Sequence, residues 1–226
     1  MTTNYRWIQT RLTELGLDPG PIDGVRGPRT DAAVVAFKKS IGFLARPYIG
    51  PLTLAALLPN TDKKYSDIPW MTEAQRVRGL HEQRDMSRLK GWFDRSVSWI
   101  DPREVPWCGA FVATCFRLYK PDILLPTNPL GARNWLHFGK PCTPVFGSCL
   151  VFWRGSKAGW KGHVGFYYGE DDTAFHVLGG NQSNAVTVTR VDKNRLLGAR
   201  WPIEQDITGQ RILLTPSGTT LSTNEA

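Results

Sequence analysis

Val105-Pro106-Trp107-Cys108-Gly109-Ala110-Phe111-Val112 is the stretch on which the fold turns. Pro106 disfavours helix for the residue before it, so the lead-in is extended. Beyond it, Phe111, Val112, Cys115, Phe116 and Tyr119 fall at the i, i+1, i+4, i+5, i+8 spacing of a buried helical face. That spacing predicts a helix opening at Cys108, with the thiol in its first turn. Unpaired N–H groups and the positive end of the helix dipole favour an anion there. A thiolate so placed has a lowered pKa and becomes a usable nucleophile. The alternative is that Cys108 is one more small buried apolar residue. A partner base decides between the two.

Partners stand downstream. His163 opens His163-Val164-Gly165-Phe166-Tyr167-Tyr168, a period-2 strand pattern introduced by Lys161-Gly162. After the acidic turn Glu170-Asp171-Asp172-Thr173, a second strand from Ala174 to Leu178 runs into Gly179-Gly180-Asn181-Gln182-Ser183-Asn184. A Cys at a helix start, then a His, then an Asn is the order of Cys–His–Asn hydrolases. In that chemistry His163 takes the thiol proton, Asn181 fixes the imidazole tautomer, and Cys108 attacks a carbonyl carbon. Backbone N–H groups at the helix start hold the oxyanion. Trp107, Gly180 and Gln182 flank these positions and are expected to contact substrate. The competing bases are His176, in a strand near Asn181, His137 and His81. His163 is preferred because it stands at a strand start, where a side chain can reach a cleft.

Further strands read at 148–153, 185–191 and 196–201. Short turns join neighbours, so the pairs are expected to be antiparallel. Helices read at 72–80, where Thr72 and Gln75 suggest a capping box, and at 128–138. Helices first and sheet after make this an α+β domain. Ahead of it, residues 4–15 carry Ile8, Leu12 and Leu15 at helical spacing. A turn-rich segment from Leu17 follows, then a helix from about Thr30 as N-cap, then a short helix from Pro51 to Leu58. The polar stretch from Pro59 reads as a linker. The expected division is a three-helix domain over 1–59, a linker over 60–69, a catalytic domain over 70–203 and a tail over 204–226, poorly ordered beyond Leu214.

Two resemblances rest on these motifs. Pro-Trp-Cys-Gly-Ala-Phe-Val, Gly-His-Val-Gly-Phe-Tyr and Gly-Gly-Asn-Gln-Ser-Asn resemble the NlpC/CHAP-type cysteine amidohydrolases that cleave peptide bonds in bacterial cell walls. This resemblance spans about 69–202 and implies a papain-like core with Cys108, His163 and Asn181 as its catalytic residues. CHAP-type domains often place an acidic residue two positions before the Asn, where this chain has Gly179. A Glu after the first helix also matches the family, at Glu82. Residues 5–58, through Ile22-Asp23-Gly24-Val25-Arg26-Gly27-Pro28-Arg29-Thr30 and Ile49-Gly50-Pro51-Leu52-Thr53-Leu54-Ala55-Ala56-Leu57, resemble the small peptidoglycan-binding domain of many wall hydrolases. That likeness implies Asp23, Gly24, Gly27 and Thr30 as wall-binding residues.

The totals fit such a chain. It has 226 residues, 41% apolar and 21% charged, with net charge +8, which describes a globular protein of one ordinary and one small domain. Positive charge lies on both folded parts and favours anionic partners such as wall polymers. It is dispersed and accompanied by no nucleic-acid motif, so no nucleic-acid partner is expected. The four cysteines contain no Cys-x-x-Cys pair, so neither a zinc site nor any other cofactor is expected. No apolar run approaches the roughly 18 residues of a membrane span, and the N-terminus lacks the apolar core of a secretory signal. The expected protein is a monomeric, endolysin-like peptidoglycan hydrolase, held in the cytoplasm until a separate pore-forming protein releases it to the wall. The alternatives are a wall-binding or structural phage protein with an inactive cysteine site, or an injected antibacterial amidase.

Overall fold

A computed structural model describes residues 5–41, 43–49, 53, 57, 68–214 and 222. The chain divides into two compact units, Met1–Lys64 and Tyr65–Ala226.

The first unit contains α1 (Tyr5–Glu14) and α2 (Pro28–Ser40). Ile8 and Leu12, one helical turn apart, bury against Ala33, Val34 and Phe37 of α2 and against Leu57. The sequence places Thr30 at the N-cap of α2, but the helix begins earlier, with Gly27 at the cap and Pro28 in the first turn. Proline suits that position because its missing N–H would be unpaired there anyway. Thr30 is buried instead, and its hydroxyl donates to the Pro19 carbonyl at 2.9 Å. The helix expected over 51–58 lies largely outside the described residues; Thr53 and Leu57 are helical and buried. The expected linker likewise lies outside them as far as residue 67.

The second unit carries α3 (Pro69–Arg76), α4 (Met86–Trp92), α5 (Cys108–Tyr119) and a 3₁₀ helix (Ala132–His137). Its six strands are β1 (Lys140–Pro141), β2 (Cys149–Trp153), β3 (Gly162–Glu170), β4 (Ala174–Gln182), β5 (Ala185–Asp192) and β6 (Leu196–Trp201). They form one sheet in the order β1-β6-β2-β3-β4-β5, each neighbouring pair antiparallel. The unit is therefore α+β. α3 starts at Pro69 with Ile68 as N-cap and no side-chain cap bond, so Thr72 and Gln75 form no capping box. The segment expected as an α-helix over 128–138 shortens to the 3₁₀ helix. The strand β1 was not expected.

α5 is buried from Cys108 through Phe116 and lies against β3, β4 and α3. A helix apolar on all sides is stable only as a central element. Trp70 of α3 closes one end: its ring lies 5.3 Å from Phe116 and 5.1 Å from Trp201, and its indole N–H donates to the Gly147 carbonyl at 2.8 Å. Burying one such ring contributes roughly 4 kcal/mol. Residues 209–214, which the sequence assigns to the tail, are stitched to this core. Phe146 N–H donates to Gln210 (2.9 Å), Glu170 N–H to Ile212 (2.8 Å) and Leu214 N–H to Glu170 (2.7 Å), while Ile212 is buried. The stretch expected to lose order after Leu214 lies outside the described residues, apart from Ser222.

The sheet is irregular near the end of β4. That strand does not stop at Leu178 but continues to Gln182 through a register shift between Gly179 and Gln182. Asn181 within that shift has φ +56°, and Ser183 and Asn184 continue at +52° and +62° to turn into β5.

Candidate active site

Cys108 is the first residue of α5, with Trp107 as N-cap. His163 is the second residue of β3 and pairs with Phe152 across β2. The packing of α5 on β3 sets Cys108 against the strand that carries His163, and the backbone N–H of Val164, next in the chain to His163, favours the Cys108 thiolate, as do those of Gly109 and Cys108 itself. Burial pushes the thiol above its ordinary value, and those N–H groups with the Arg154 charge only partly pull it back. The expectation of a lowered pKa is thus corrected. Cys108 is 6% exposed and His163 1%, and at that burial desolvation outweighs the helix terminus.

The sequence names Asn181 as the residue that orients the imidazole, but the acceptor at His163 Nε2 is Oε1 of Gln182, at 3.0 Å. The bulge explains the change. An extra residue in a strand re-aims the side chains beyond it, so the position after Asn181 comes round to the histidine. The Gln182 amide is held in one sense, with its Nε2 donating to the carbonyls of Thr187 (2.6 Å), Val177 (3.2 Å) and Gly179 (3.3 Å). Its oxygen therefore faces the ring, which puts the imidazole proton on Nε2 and the lone pair on Nδ1. Gly179 makes this contact fit. A β-carbon there would stand 3.0 Å from Gln182 Oε1 and 3.2 Å from His163 Nε2.

Trp107 and Gly180, expected to contact substrate, are packing residues. Trp107 is fully buried. A β-carbon at Gly180 would lie 2.5 Å from its ring and 2.6 Å from Phe111, so glycine is what lets the ring lie flat on β4. The Trp107 indole donates to the buried Glu82 carboxylate at 2.9 Å, and Glu82 N–H donates to the Asn184 carbonyl at 2.9 Å. Glu82 thus ties the residue before the sulfur to the β4–β5 turn. Sequence pattern singled out Glu82, but the indole it holds is 25 residues away and no local signal joins them.

The other histidines are engaged elsewhere. His176 bonds Asp171 at 2.8 Å, and Arg190 reaches the same carboxylate at 2.8 Å. Burial lowers the His176 pKa, and Asp171 only partly restores it. Burial alone would raise Asp171, but Arg190 and His176 outweigh it and hold the carboxyl well below its usual range. His137 lines a cavity of about 250 Å³ with Tyr119 and Ile123, at the far end of α5 from Cys108. The His81 ring accepts from Gln83 N–H at 3.2 Å.

In the first unit, the residues expected to bind wall build a turn. Asp23 accepts from Val25 N–H (2.8 Å) and from Gln9 Nε2 (2.9 Å), and Gly24, at φ +83°, donates to Gln9 Oε1 (2.8 Å). Gln9, 1% exposed, also donates to the Val25 carbonyl. The Asp23 carboxylate is exposed but engaged within the turn, the Thr30 side chain is buried, and Gly27 caps α2. Gln9 is the organiser that sequence reading missed, because it looks like an ordinary polar helix residue.

All four cysteines are free. Among the described residues no three His, Cys, Asp or Glu are grouped as metal ligands, and no helix is long and apolar enough to cross a membrane. Residues 2–57 match the family model of a peptidoglycan binding domain. No curated protein and no solved structure matches the chain.

Proposed function

We propose that the chain is a peptidoglycan hydrolase that cuts an amide bond of the bacterial wall through a cysteine nucleophile, with the N-terminal unit as its wall-binding module. The observation that carries this reading is the site: the Cys108 sulfur against the strand at Val164, the residue after a histidine whose Nε2 is held by Gln182. The peptidoglycan-binding likeness of residues 2–57 supplies the substrate class. The layout, a buried helix carrying the sulfur against an antiparallel sheet carrying the base, is the one a papain-like enzyme needs.

The raised thiol pKa favours a concerted start. As the sulfur attacks the amide carbonyl carbon, its proton passes to Nδ1 of His163 while Nε2–H stays on Gln182. The tetrahedral oxyanion is held by main-chain N–H at the start of α5. Collapse breaks the C–N bond, and the imidazolium gives its proton to the leaving amine. Water, deprotonated by His163, then hydrolyses the thioester, restoring the thiol and releasing the carboxylic acid. In a cell, the activity fits an endolysin-like role, with a separate pore-forming protein admitting the enzyme to the wall.

Incubation of purified sacculi with the full chain should release new free amines. Release should vanish in Cys108→Ala and after thiol alkylation, and survive chelators. Amine release that resists alkylation but not chelation overturns the mechanism. The burial of Cys108 supports a second reading, a wall-binding protein with a silent cysteine site, which predicts binding to sacculi with no amine released at any pH.

A further inference from the structure

Of the nine tryptophans, seven (Trp7, Trp70, Trp92, Trp107, Trp135, Trp153 and Trp201) are buried or engaged in the fold, and Trp99, 70% exposed, donates to the Ser96 carbonyl at 3.1 Å. Trp153 at the end of β2 donates to the Asn194 carbonyl at 3.3 Å and lies under Arg195. Trp160 is the opposite case, with 83% of its surface exposed. It sits on the loop 154–161 that joins β2 to β3, three residues before His163, or roughly 10 Å of extended chain.

That exposure is built. Arg133, on the 3₁₀ helix, donates through its guanidinium to three carbonyls of this loop: Lys161 (2.9 Å), Lys157 (3.0 Å) and Ser156 (3.0 Å). The stem of Arg133 lies over Gly162, where a β-carbon would meet it at 3.0 Å. One residue thus clasps the loop that carries the exposed ring. Along the loop the charge has one sign. Arg154, Lys157 and Lys161 flank the ring in the chain, Lys161 lies 5.8 Å from the ring centre, and no acidic residue occurs between Arg154 and Glu170. Trp153 pairs with Gly162 and Phe152 with His163, so the loop closes the end of the sheet at which His163 stands.

We propose that loop 154–161 is a glycan-side subsite of the active site. In it, Trp160 stacks on a sugar ring of the wall strand, and Lys157 and Lys161 meet the carboxylates of the stem peptide under cleavage. This rests on the peptidoglycan hydrolase reading and deepens it. A lone flat ring in a basic rim fits a pyranose face bearing an acidic peptide, and the polymer combines both. The ring is too small a patch for a protein interface, which needs about 800 Å² per partner.

The test uses the full chain in a Cys108→Ala background, so that binding is read without turnover. The ligands are disaccharide-peptides from muramidase-digested sacculi and the same stem peptide without sugars. Adding Trp160→Ala should weaken disaccharide-peptide binding about tenfold and leave the sugar-free peptide unchanged, while Trp160→Phe keeps most of the affinity. Lys157→Glu should weaken both ligands. Unchanged disaccharide-peptide binding in Trp160→Ala overturns the proposal, as does an equal loss for both ligands, which would mean the loop only props β3. A chain that shows the sugar-dependent loss but whose Cys108 form releases no amines from sacculi would retain the subsite and lose the hydrolase.

Discussion

His163 Nε2 stands 3.0 Å from Gln182 Oε1, and the missing side chain of Gly179 leaves the room in which they meet. Two strands joined by a hairpin thus fix both the tilt of the imidazole and the nitrogen that carries its proton.

Replacing Gln182 with Leu should lower kcat/KM for amine release about 100-fold, the usual cost of misplacing a reacting group by an ångström. Asn181→Ala should change it less than about threefold. Gly179→Ala should behave like a partial Gln182 variant, because its β-carbon enters the same space. If Asn181→Ala is the damaging change and Gln182→Leu the mild one, the assignment of the orienting residue is wrong.

Glu82 and Trp107 form a second buried pair, at 2.9 Å. Glu82→Ala leaves a fully buried indole N–H without an acceptor, so it should destabilise the protein by about 1–3 kcal/mol. The proposed activity should fall as well, since Trp107 precedes Cys108. Glu82→Gln keeps an acceptor and should recover most of both. Denaturant titration beside an activity assay separates the two effects; equal stability in Glu82→Ala and the parent would show that the bond contributes nothing net.

Stability should depend on pH at both ends. Burial holds Cys115 and Cys149 well above the ordinary thiol value of 9.0, raises Cys108, and pushes Cys142 up to about 11. Groups raised on folding contribute stability that is present below the unfolded value and lost as pH rises through the folded one. The melting temperature should therefore fall from about pH 9 upward. His176 has the opposite sign: burial lowers it from 6.5, so its contribution is present above 6.5 and lost as pH falls below it. A melting temperature flat from pH 9 to 11 would contradict the burial of these thiols.

Gln9 holds the turn that links α1 to α2 through Asp23, Gly24 and Val25. Gln9→Ala should cost the first unit about 1–2 kcal/mol by leaving Gly24 N–H and the Val25 carbonyl short of partners. It should also weaken sedimentation of the full chain with sacculi at 37 °C. Undiminished co-sedimentation, with the first unit shown unfolded, would mean that the wall is held elsewhere.

Period and punctuation made much of this fold legible. The five apolar positions after Cys108 mark α5, and alternation after Lys161-Gly162 marks β3. The order of helices and strands gives α+β. The bulge was not legible. Gly179-Gly180-Asn181-Gln182 reads as the end of a strand, and a single inserted residue moved the orienting role from position 181 to 182 without altering any local pattern. Trp107 misled for a related reason: next to a nucleophile an aromatic ring looks like a substrate contact, and only the glycine facing it, 73 residues on in the chain, shows that it packs inward. The thiol pKa was misjudged because a helix start is visible in sequence and depth of burial is not. The caps of α2 and α3 shifted because Pro28 and Pro69 fit the first turn better than the threonines beyond them fit the cap.

The Cys108 sulfur rides on a helix and the His163 imidazole on a sheet, and the two elements are joined by side-chain packing rather than by a covalent tie. Chemistry should be the first property lost when that seam slackens. Mild heating or low denaturant ought to silence the protein while its circular dichroism still reads as native, and cooling should bring it back.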